Sequence, residues 1–290
     1  MIEPSRPSHW RKTSALDRHK VEAFLMEREK FCVAACARFL HVKKNNGHVW
    51  YLNEQPGQTA NPKDKITALL LHSDRALFPV FNNLRIPGPR FFSRFLGKIK
   101  IHAIQGLRPD AELLETLMEG QGYFAADRID YHLMSLDCVP KSEAFNNPDG
   151  LILRKPKPEN EDDLFALQAA YDQEEVIPKN AKFNPVLCRL NLSRILSSEQ
   201  ILVAELDGQV VGKINTSAES FTRYQIGGVY VRPDCRGLGI GTRMIKVFSE
   251  SLLAQGKGVT LFVKKHNAAA TKIYRKAGFS ILAEYRISYY

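Results

Sequence analysis

The sequence predicts an α/β fold, of the α+β kind, arranged as two successive domains. Short apolar runs rich in β-branched residues alternate with stretches whose apolar residues recur at helical spacing. A glycine-rich turn joins one such strand to a helix near Arg236. The order of elements in the first half of the chain also returns in the second half. A chain of 290 residues is long enough for two ordinary domains, each with its own core.

The first half begins with a polar, proline-bearing tail, and a helical pattern follows from Leu16 to about Leu40. Another helix is predicted over Asp110–Glu119, and Gly122–Leu136 is interpreted as a closing pair of strands. The remaining strands of this half are predicted at Val49–Leu52, Ile66–Leu71, Ala76–Phe81 and Ile99–Ile104.

The second half repeats this order after a polar, turn-forming segment at Lys141–Gly150. Both halves carry a glycine–aromatic pair, Gly122-Tyr123 and Gly278-Phe279, ahead of their last strands. The other predicted elements are strands at Leu151–Leu153, Ile201–Glu205, Val210–Thr216 and Val259–Val263, helices at Glu159–Val176 and Pro185–Leu196, and two closing strands. We therefore predict a duplication, with domains at 1–140 and 151–290 and a linker at 141–150, although α/β chains in general share some of this order.

The segment Ile226–Thr242 is the most informative stretch of the chain. Ile226–Val231 suits a strand, and Arg232-Pro233 ends it because proline cannot donate to a β-ladder. The run Arg-Gly-Leu-Gly-Ile-Gly at 236–241 then opens into a helical pattern. Strand, glycine-rich turn and helix start in this order leave backbone N–H groups pointing at one spot, at the positive end of the helix dipole. This arrangement is typical of a phosphate site.

Two common phosphate loops do not fit this segment. A dinucleotide fold has the spacing G-x-G-x-x-G and an acidic residue about 20 positions further on. Here the spacing is G-x-G-x-G, and the next predicted strand, Val259–Val263, is followed by Lys264. A P-loop would place Ser or Thr after Gly-Lys, whereas Gly256-Lys257 is followed by Gly258.

A second motif begins at Asn267 and ends at Gly278-Phe279. Asn267 is a good helix N-cap and Gly278 a good C-terminal stop, which predicts a helix of about three turns between them. Asn267, Ala270 and Tyr274 are three and four residues apart, so they share one face of that helix.

Together the two motifs resemble the GNAT family of acetyl-CoA-dependent N-acetyltransferases. The likeness extends over Leu151–Tyr290 and is strongest over Val229–Phe279. It implies two GNAT-like domains, each a mixed, mostly antiparallel sheet flanked by helices. The first would be a degenerate domain of unknown role, since its counterpart of the glycine loop, near Ile86–Pro89, lacks R-G-x-G-x-G. Only the C-terminal domain is therefore predicted to bind acetyl-CoA.

The resemblance also implies site residues. Backbone groups of the central strand would bind the pantetheine arm and polarise the thioester, the glycine turn would bind the pyrophosphate, and Tyr274 would protonate the leaving thiolate. The implied cofactor-binding residues are Val229, Tyr230, Val231, Arg236, Gly237, Leu238, Gly239, Ile240, Gly241, Thr242 and Asn267. Gly227-Gly228, just before them, predicts a bulge or a close backbone approach.

The general base is less clear from the sequence. Many family members have a glutamate early in the central strand, where this chain has Gln225, which cannot accept a proton at neutral pH. An ordinary amine is about 99.9 % protonated at pH 7, so some proton route is required. The candidates are Glu219, which we place first, Glu205 and a chain of water molecules.

Composition and cysteine content bear on the compartment and on membrane or metal binding. No secretory signal is visible, and the apolar run Phe31–Leu40 is too short to span a bilayer. Five cysteines without a C-x-x-C pair argue against a disulfide framework or a metal site, and we expect a cytoplasmic protein that binds neither membrane nor metal.

Of the net charge of +10, each half of the chain carries +5, and within the second half the basic residues are concentrated in Arg232–Arg286, around the predicted cofactor loop. By contrast, Glu159–Glu175 is acidic and has no basic residue, which suits a cationic amine acceptor or simply a solvated helix face. Three functions stay open: an N-acetyltransferase, which is favoured; a silent acyl-CoA-binding sensor; and a protein that associates with nucleic acid.

Overall fold

The computed structural model describes residues 10–42, 47–53, 66–82, 95–96, 99–139, 148–177 and 182–290. Two compact units are present, one formed by Met1–His132 with Ala283–Tyr290 and the other by Leu133–Leu282. The division therefore differs from the predicted limits of 1–140 and 151–290. It falls within two long strands, and composition cannot show where along such a strand one unit ends. Most of the predicted linker, residues 141–147, lies outside the described residues.

In its described residues, the first unit combines a sheet with flanking helices. Its elements are β1 (Arg11–Lys12), α1 (Arg18–Met26), α2 (Val33–Leu40), β2 (His48–Asn53), β3 (Ile66–Ser73), β4 (Ala76–Phe81), β5 (Ala103–Leu107), α3 (Arg108–Glu119), the start of β6 (Asp127–Leu136) and the end of β12 (Ser280–Tyr289). Five of its strands and β12 follow the order β1-β2-β3-β4-β5-β12. These neighbours are antiparallel except for β4 and β5, which run parallel.

The helical periodicity of the first half is confirmed, but two strand predictions are wrong. The α3 residues Ala111, Leu114 and Met118 form a fully buried stripe, as the spacing predicts. The predicted strand Ile99–Ile104 lies later, at β5, and the predicted closing pair in Gly122–Leu136 is the single strand β6. Both errors have the same cause: apolar content shows that a segment is extended or buried, but not whether a neighbouring strand is hydrogen-bonded to it.

The second unit contains the glycine turn. Its elements are the end of β6, β7 (Leu151–Arg154), α4 (Glu161–Tyr171), a π-helical segment (Asp172–Val176), α5 (Pro185–Ser198), β8 (Ile201–Leu206), β9 (Gln209–Glu219), β10 (Arg223–Val231), α6 (Ile240–Leu253), β11 (Gly258–Lys264), α7 (Ala268–Lys276) and the start of β12. The strand order is β6-β11-β10-β9-β8-β7. The pairs from β10 to β7 are antiparallel, whereas β10 and β11 are parallel.

Two cores lie on opposite faces of this sheet. Val203 and Tyr230 pack with α4 and α5, whereas the neighbouring residue Ala204 packs with α6. Because successive strand residues point to opposite faces, the two sets of helices cover the two sides. The mixed, mostly antiparallel sheets with flanking helices confirm the predicted fold class. The two closing strands predicted for this half are one strand, β12.

In the part of the chain that the structure describes, no helix is both long and apolar enough to cross a membrane. The described residues also contain no cluster of three or more His, Cys, Asp or Glu side chains suited to a metal ion.

Candidate functional site at the break in β10

The central strand β10 leaves both of its neighbours at Gly228. Its parallel pairing with β11 covers Arg223–Ile226. Pairing with β9 runs through Gly227 and resumes at Tyr230, so that Gly228 and Val229 bulge out of the ladder. This confirms the bulge predicted from the glycine pair. Beyond Ile226 the pairing of β10 with β11 stops, although both strands continue to Val231 and Lys264, and we call the space between these unpaired strand ends the cleft.

Glycine is required at position 228 for two reasons. Its φ is +59°, in the left-handed region. A Cβ atom there would overlap the side-chain amide of Asn215 and lie 2.8 Å from Nζ of Lys213. The bulge is thus built by close contact between the β10 backbone and two polar side chains of β9.

The glycine turn leads into α6 as predicted. Gly237 and Gly239 have φ of +85° and +83°, and a Cβ on either would meet open space. Gly239 is the N-cap of α6, and since it has no side chain it cannot cap the first N–H groups of the helix. Arg236 donates from Nε to the carbonyl of Val231 at 3.0 Å, which holds its guanidinium beside the end of β10.

The second motif also folds as predicted. Asn267 caps α7 by accepting a hydrogen bond from the Ala270 N–H at 3.0 Å. Tyr274 is buried on the inner face of α7, and its ring meets Phe279 edge-on at 6.2 Å between centroids. Burial raises the pKa of Tyr274, and Tyr171 and Glu175 raise it further. The phenol therefore stays protonated near neutrality, but its pKa lies further above that of a thiol than the sequence suggested.

The acidic π-helical segment contacts both sides of the cleft. Glu174 accepts hydrogen bonds from the Tyr230 hydroxyl at 2.6 Å and from Nη2 of Arg236 at 2.9 Å. Glu175 pairs with Lys264 at 3.1 Å and accepts from Nδ2 of Asn267 at 3.3 Å. Three residues implied in cofactor binding therefore have their side chains engaged by carboxylates. The sequence did not predict this, because the pairs join residues 56 to 92 positions apart.

These contacts shift two pKa values. Burial raises the pKa of Tyr230 to about 12, and its hydrogen bond to Glu174 adds to the shift. Burial acts to raise the pKa of Glu174 as well, but the hydrogen bonds from Tyr230 and Arg236 outweigh it and the pKa is lowered. Glu174 is therefore a carboxylate at neutral pH.

The candidate bases lie apart from the bulge. Glu219 of β9 pairs with Tyr224 of β10 in the register. Tyr224 lies five residues before Val229, which corresponds to about 16 Å along a strand. Its carboxylate is exposed and pairs with Lys257 at 2.6 Å. Glu205 accepts from Nε of Arg154 at 2.8 Å. Gln225 is buried and donates from Nε2 to the Ser217 hydroxyl at 3.0 Å.

Lys213 is the main residue at the bulge that the sequence analysis missed. It lies in β9 with no exposed surface. Its Nζ donates to the carbonyl of Gly228 at 3.1 Å and to Oδ1 of Asn215 at 3.2 Å, and it lies 5.1 Å from the centre of the Tyr171 ring. Burial lowers the pKa of Lys213 to about 8. A lysine inside the apolar run Val210–Ile214 was the available signal.

The first unit has a comparable divergence. Its parallel strands β4 and β5 pair at only two positions, Ala76 with Ala103 and Leu77 with Ile104. A cavity of about 330 Å³ lies beyond these pairs and is lined in part by Phe81 and Asp110, where burial raises the pKa of Asp110 to about 7. The predicted loop counterpart near Ile86–Pro89 lies outside the described residues.

Part of the second half of the chain is similar to a known protein family. Residues 162–279 match the model of the Acetyltransferase (GNAT) family. The match covers 118 of the 290 residues, all of them in the second half of the chain. The matched segment contains both the glycine turn and the Asn267 motif, which confirms the resemblance on which the sequence analysis relied.

Among curated proteins, an uncharacterized N-acetyltransferase of Methanocaldococcus jannaschii is 35 % identical over 79 residues, which are 27 % of this chain. The chain spans about half (50 %) of the length of that relative.

Solved structures extend the GNAT likeness at the level of fold. A Drosophila protein aligns with a TM-score of 0.65 and 10 % identity, covering 98 % of this chain and 99 % of its own. A tandem GNAT protein from the clavulanic acid biosynthesis pathway aligns with a TM-score of 0.57 and 12 % identity, covering 97 % of each chain. The fold therefore matches known structures, one of them a tandem GNAT protein, over nearly the whole chain.

Proposed function

We propose that this protein is an acetyl-CoA-dependent N-acetyltransferase. It moves an acetyl or short acyl group from CoA to a primary amine by direct attack in a ternary complex. The observation that carries the proposal is the break in β10 at Gly228 beside the open N-terminus of α6, inside the segment that matches the GNAT family. The break supplies unpaired backbone for an acyl-pantetheine arm, and the helix start supplies N–H groups for a diphosphate.

The proposed donor site runs along the cleft. Residues 237–242 and Arg236 bind the pyrophosphate, and Val229–Val231 hydrogen-bond the pantetheine arm. Asn267 lies on the opposite side of the cleft, where its side chain now meets Glu175. A thioester carbonyl placed at Val229 is then polarised by backbone N–H groups that need no reorganisation during the reaction.

Tyr274 is the proposed acid. The amine nitrogen attacks the thioester carbon, the C–S bond breaks, and the phenol donates its proton to the departing thiolate. Burial supports this role because it keeps the phenol protonated. It also makes the phenol a weaker acid than free tyrosine, so proton transfer has to accompany bond breaking rather than precede it.

The acceptor is a primary amine, and a cationic one is favoured. Three carboxylates of the α4 first turn, Glu161, Asp162 and Asp163, remain at the surface in addition to those that contact the cleft. A carboxylate near a helix N-terminus is also stabilised by the helix dipole, so this acidity has a structural cause as well. The two proposed domains keep separate roles, with one acetyl-CoA bound per chain in the C-terminal domain.

The decisive experiment mixes the purified protein with acetyl-CoA and a panel of amines, including a polyamine, a lysine peptide and an aminoglycoside. Release of free CoA thiol that depends on the amine supports the proposal. Titration calorimetry with acetyl-CoA is the companion measurement, with one equivalent expected per chain. Two equivalents would show that the first domain also binds the donor.

A silent acyl-CoA-binding module is the second candidate. The observation in its favour is that Gln225 replaces the usual glutamate, while Glu219 and Glu205 are held in ion pairs away from the bulge. Binding of acetyl-CoA without thiol release for any amine would support it. A nucleic-acid role is less favoured, because Arg236 and Lys264 of the basic region are paired with carboxylates.

A further inference from the structure

Lys213 is connected to the proposed oxyanion site through one peptide group. Its Nζ donates to the carbonyl oxygen of Gly228 at 3.1 Å. That carbonyl and the Val229 N–H belong to the same planar, resonance-stabilised peptide unit. A donor at the oxygen end therefore acts directly on the N–H at the other end.

A charged donor strengthens this coupling. Hydrogen bonds from ammonium groups are roughly twice as strong as neutral ones, and chains of hydrogen bonds polarise one another in a low-dielectric interior. An ammonium at the carbonyl oxygen favours the resonance form with positive charge on nitrogen, so the N–H becomes a better donor. Since Lys213 has no exposed surface, bulk water does not screen this effect.

We propose that Lys213 positions and polarises the Gly228–Val229 peptide, so that the Val229 N–H becomes a stronger donor to the thioester carbonyl of acetyl-CoA. This role rests on the proposed function. It makes Lys213 a positioning residue, which acts through the backbone and does not touch the acyl group.

The packing around Lys213 also fixes the bulge. Asn215 accepts from Nζ at 3.2 Å, and its Nδ2 donates to the carbonyl of Thr216 at 2.6 Å. Lys213 and Asn215 together fill the space that a side chain at Gly228 would occupy. The left-handed turn of β10 is therefore held from the β9 side by two connected polar groups.

The titratable groups that face Lys213 come from two elements. Asp172 in the π-helical segment and Cys188 in α5 both act to raise the pKa of Lys213, but burial prevails and the pKa is lowered to about 8. Tyr171 covers Nζ with its ring. At pH 7 the lysine is mostly charged, and the polarisation is present.

Lys213 takes up no proton in the proposed step. The amine nitrogen forms the new C–N bond, and the carbonyl oxygen carries the negative charge of the tetrahedral intermediate. The C–S bond then breaks, the thiolate receives a proton from Tyr274, the proton lost by the amine passes to water, and water returns a proton to Tyr274. The contribution of Lys213 is to lower the energy of the oxyanion.

The first test does not depend on activity. Carbon-detected NMR follows the Gly228 carbonyl ¹³C and the Val229 ¹⁵N shifts from pH 6 to pH 10 in the full chain. Both should titrate with a midpoint near pH 8 in the wild type and lose that titration in Lys213→Met. Lys155→Met, an exposed lysine just beyond β7, is the matched control and should leave the midpoint in place. An unchanged titration in Lys213→Met would overturn the proposal.

The second test separates charge from position by kinetics. Lys213→Gln keeps a donor but loses the charge, whereas Lys213→Met loses both. Loss of one oxyanion-hole donor typically lowers kcat by about 100- to 1,000-fold, and a weakened donor should cost less, so we expect kcat in Lys213→Met to fall by about 10- to 100-fold. The KM for acetyl-CoA should stay within about threefold, and Lys213→Gln should be intermediate.

The outcomes distinguish this role from the proposed function. Wild-type kcat in a folded Lys213→Met protein would remove the lysine from the mechanism while leaving the acetyltransferase intact. A wild-type protein that releases no thiol would refute the proposed function, and the NMR titration would still decide whether Lys213 polarises the peptide. If Lys213→Met does not fold, Lys213→Gln, which also removes the charge, should lose the NMR titration and lower kcat by a smaller factor.

Discussion

The carboxylate of Glu174 lies 2.9 Å from the guanidinium of Arg236 and forms an ion pair with it. In the proposed site, the same guanidinium binds a phosphate of the donor. The same carboxylate accepts from Tyr230 on the adjacent strand end. In the proposed site, the diphosphate of acetyl-CoA would compete with Glu174 for Arg236.

Glu174→Gln should therefore bind acetyl-CoA more tightly than the wild type. The paired side chains are 48 % and 42 % exposed, so the lost ion pair is an ordinary surface pair. Such pairs contribute about 0.2–1 kcal/mol, which corresponds to an affinity gain of up to about fivefold. Calorimetry at low ionic strength measures it. Glu161→Gln, which loses a similarly exposed pair with Arg189, is the control and should leave the affinity unchanged. Weaker binding in Glu174→Gln would contradict the competition.

Gly228→Ala should destabilise the protein and reduce donor binding. A left-handed φ costs a non-glycine residue of order 1 kcal/mol, and the overlap with Asn215 adds about 1–3 kcal/mol of overpacking. Gly208→Ala is the matched control, because Gly208 has a φ of +78° but open space around its Cβ position. Urea unfolding of both variants isolates the cost of the overlap. Equal destabilisation would mean that the contact with Lys213 and Asn215 is not tight in solution.

Tyr274→Phe should lower kcat while leaving donor affinity nearly unchanged. The phenylalanine ring keeps the edge-on contact with Phe279, so the change removes only the hydroxyl. General acid catalysis typically contributes about 100- to 10,000-fold, and we expect a loss toward the lower end because the phenol is a weak acid in this site. Steady-state kinetics with the best amine measure kcat, and calorimetry measures the affinity for acetyl-CoA. Unchanged turnover would exclude Tyr274 from the mechanism.

The sequence was sufficient where function depends on local backbone chemistry. Certain local backbone conformations are adopted by few residue types, so the residue type predicts the geometry. This holds for the bulge at Gly228, the turn at Gly237–Gly239 and the cap at Asn267. The positions of Glu174 and Lys213 depend on packing between distant segments. Neither periodicity nor spacing indicates that a carboxylate on one element meets an arginine 62 positions later. For the same reason, the ion pairs that hold Glu219 and Glu205 could not be foreseen.

Lys213 should also make the stability of the protein depend on pH. Its pKa is about 8 in the folded chain and 10.5 in an unfolded one. Below pH 8 the lysine is charged in both states, and the full cost of burying the charge is present. Between pH 8 and pH 10.5 the unfolded chain binds more protons, so stability rises with pH; above that range both states are neutral. A difference of 2.5 pKa units corresponds to about 3 kcal/mol.

The measurement is urea unfolding of the wild type and Lys213→Met from pH 7 to pH 10. Other titrating groups contribute equally to both proteins, so the difference between the two stabilities isolates the lysine. Relative to Lys213→Met, the wild type should gain about 2.5 kcal/mol between pH 7 and pH 10. A difference that does not change with pH would mean that water reaches Nζ. In that case the ammonium would be screened, and its charge would no longer act through the Gly228 carbonyl on the Val229 N–H.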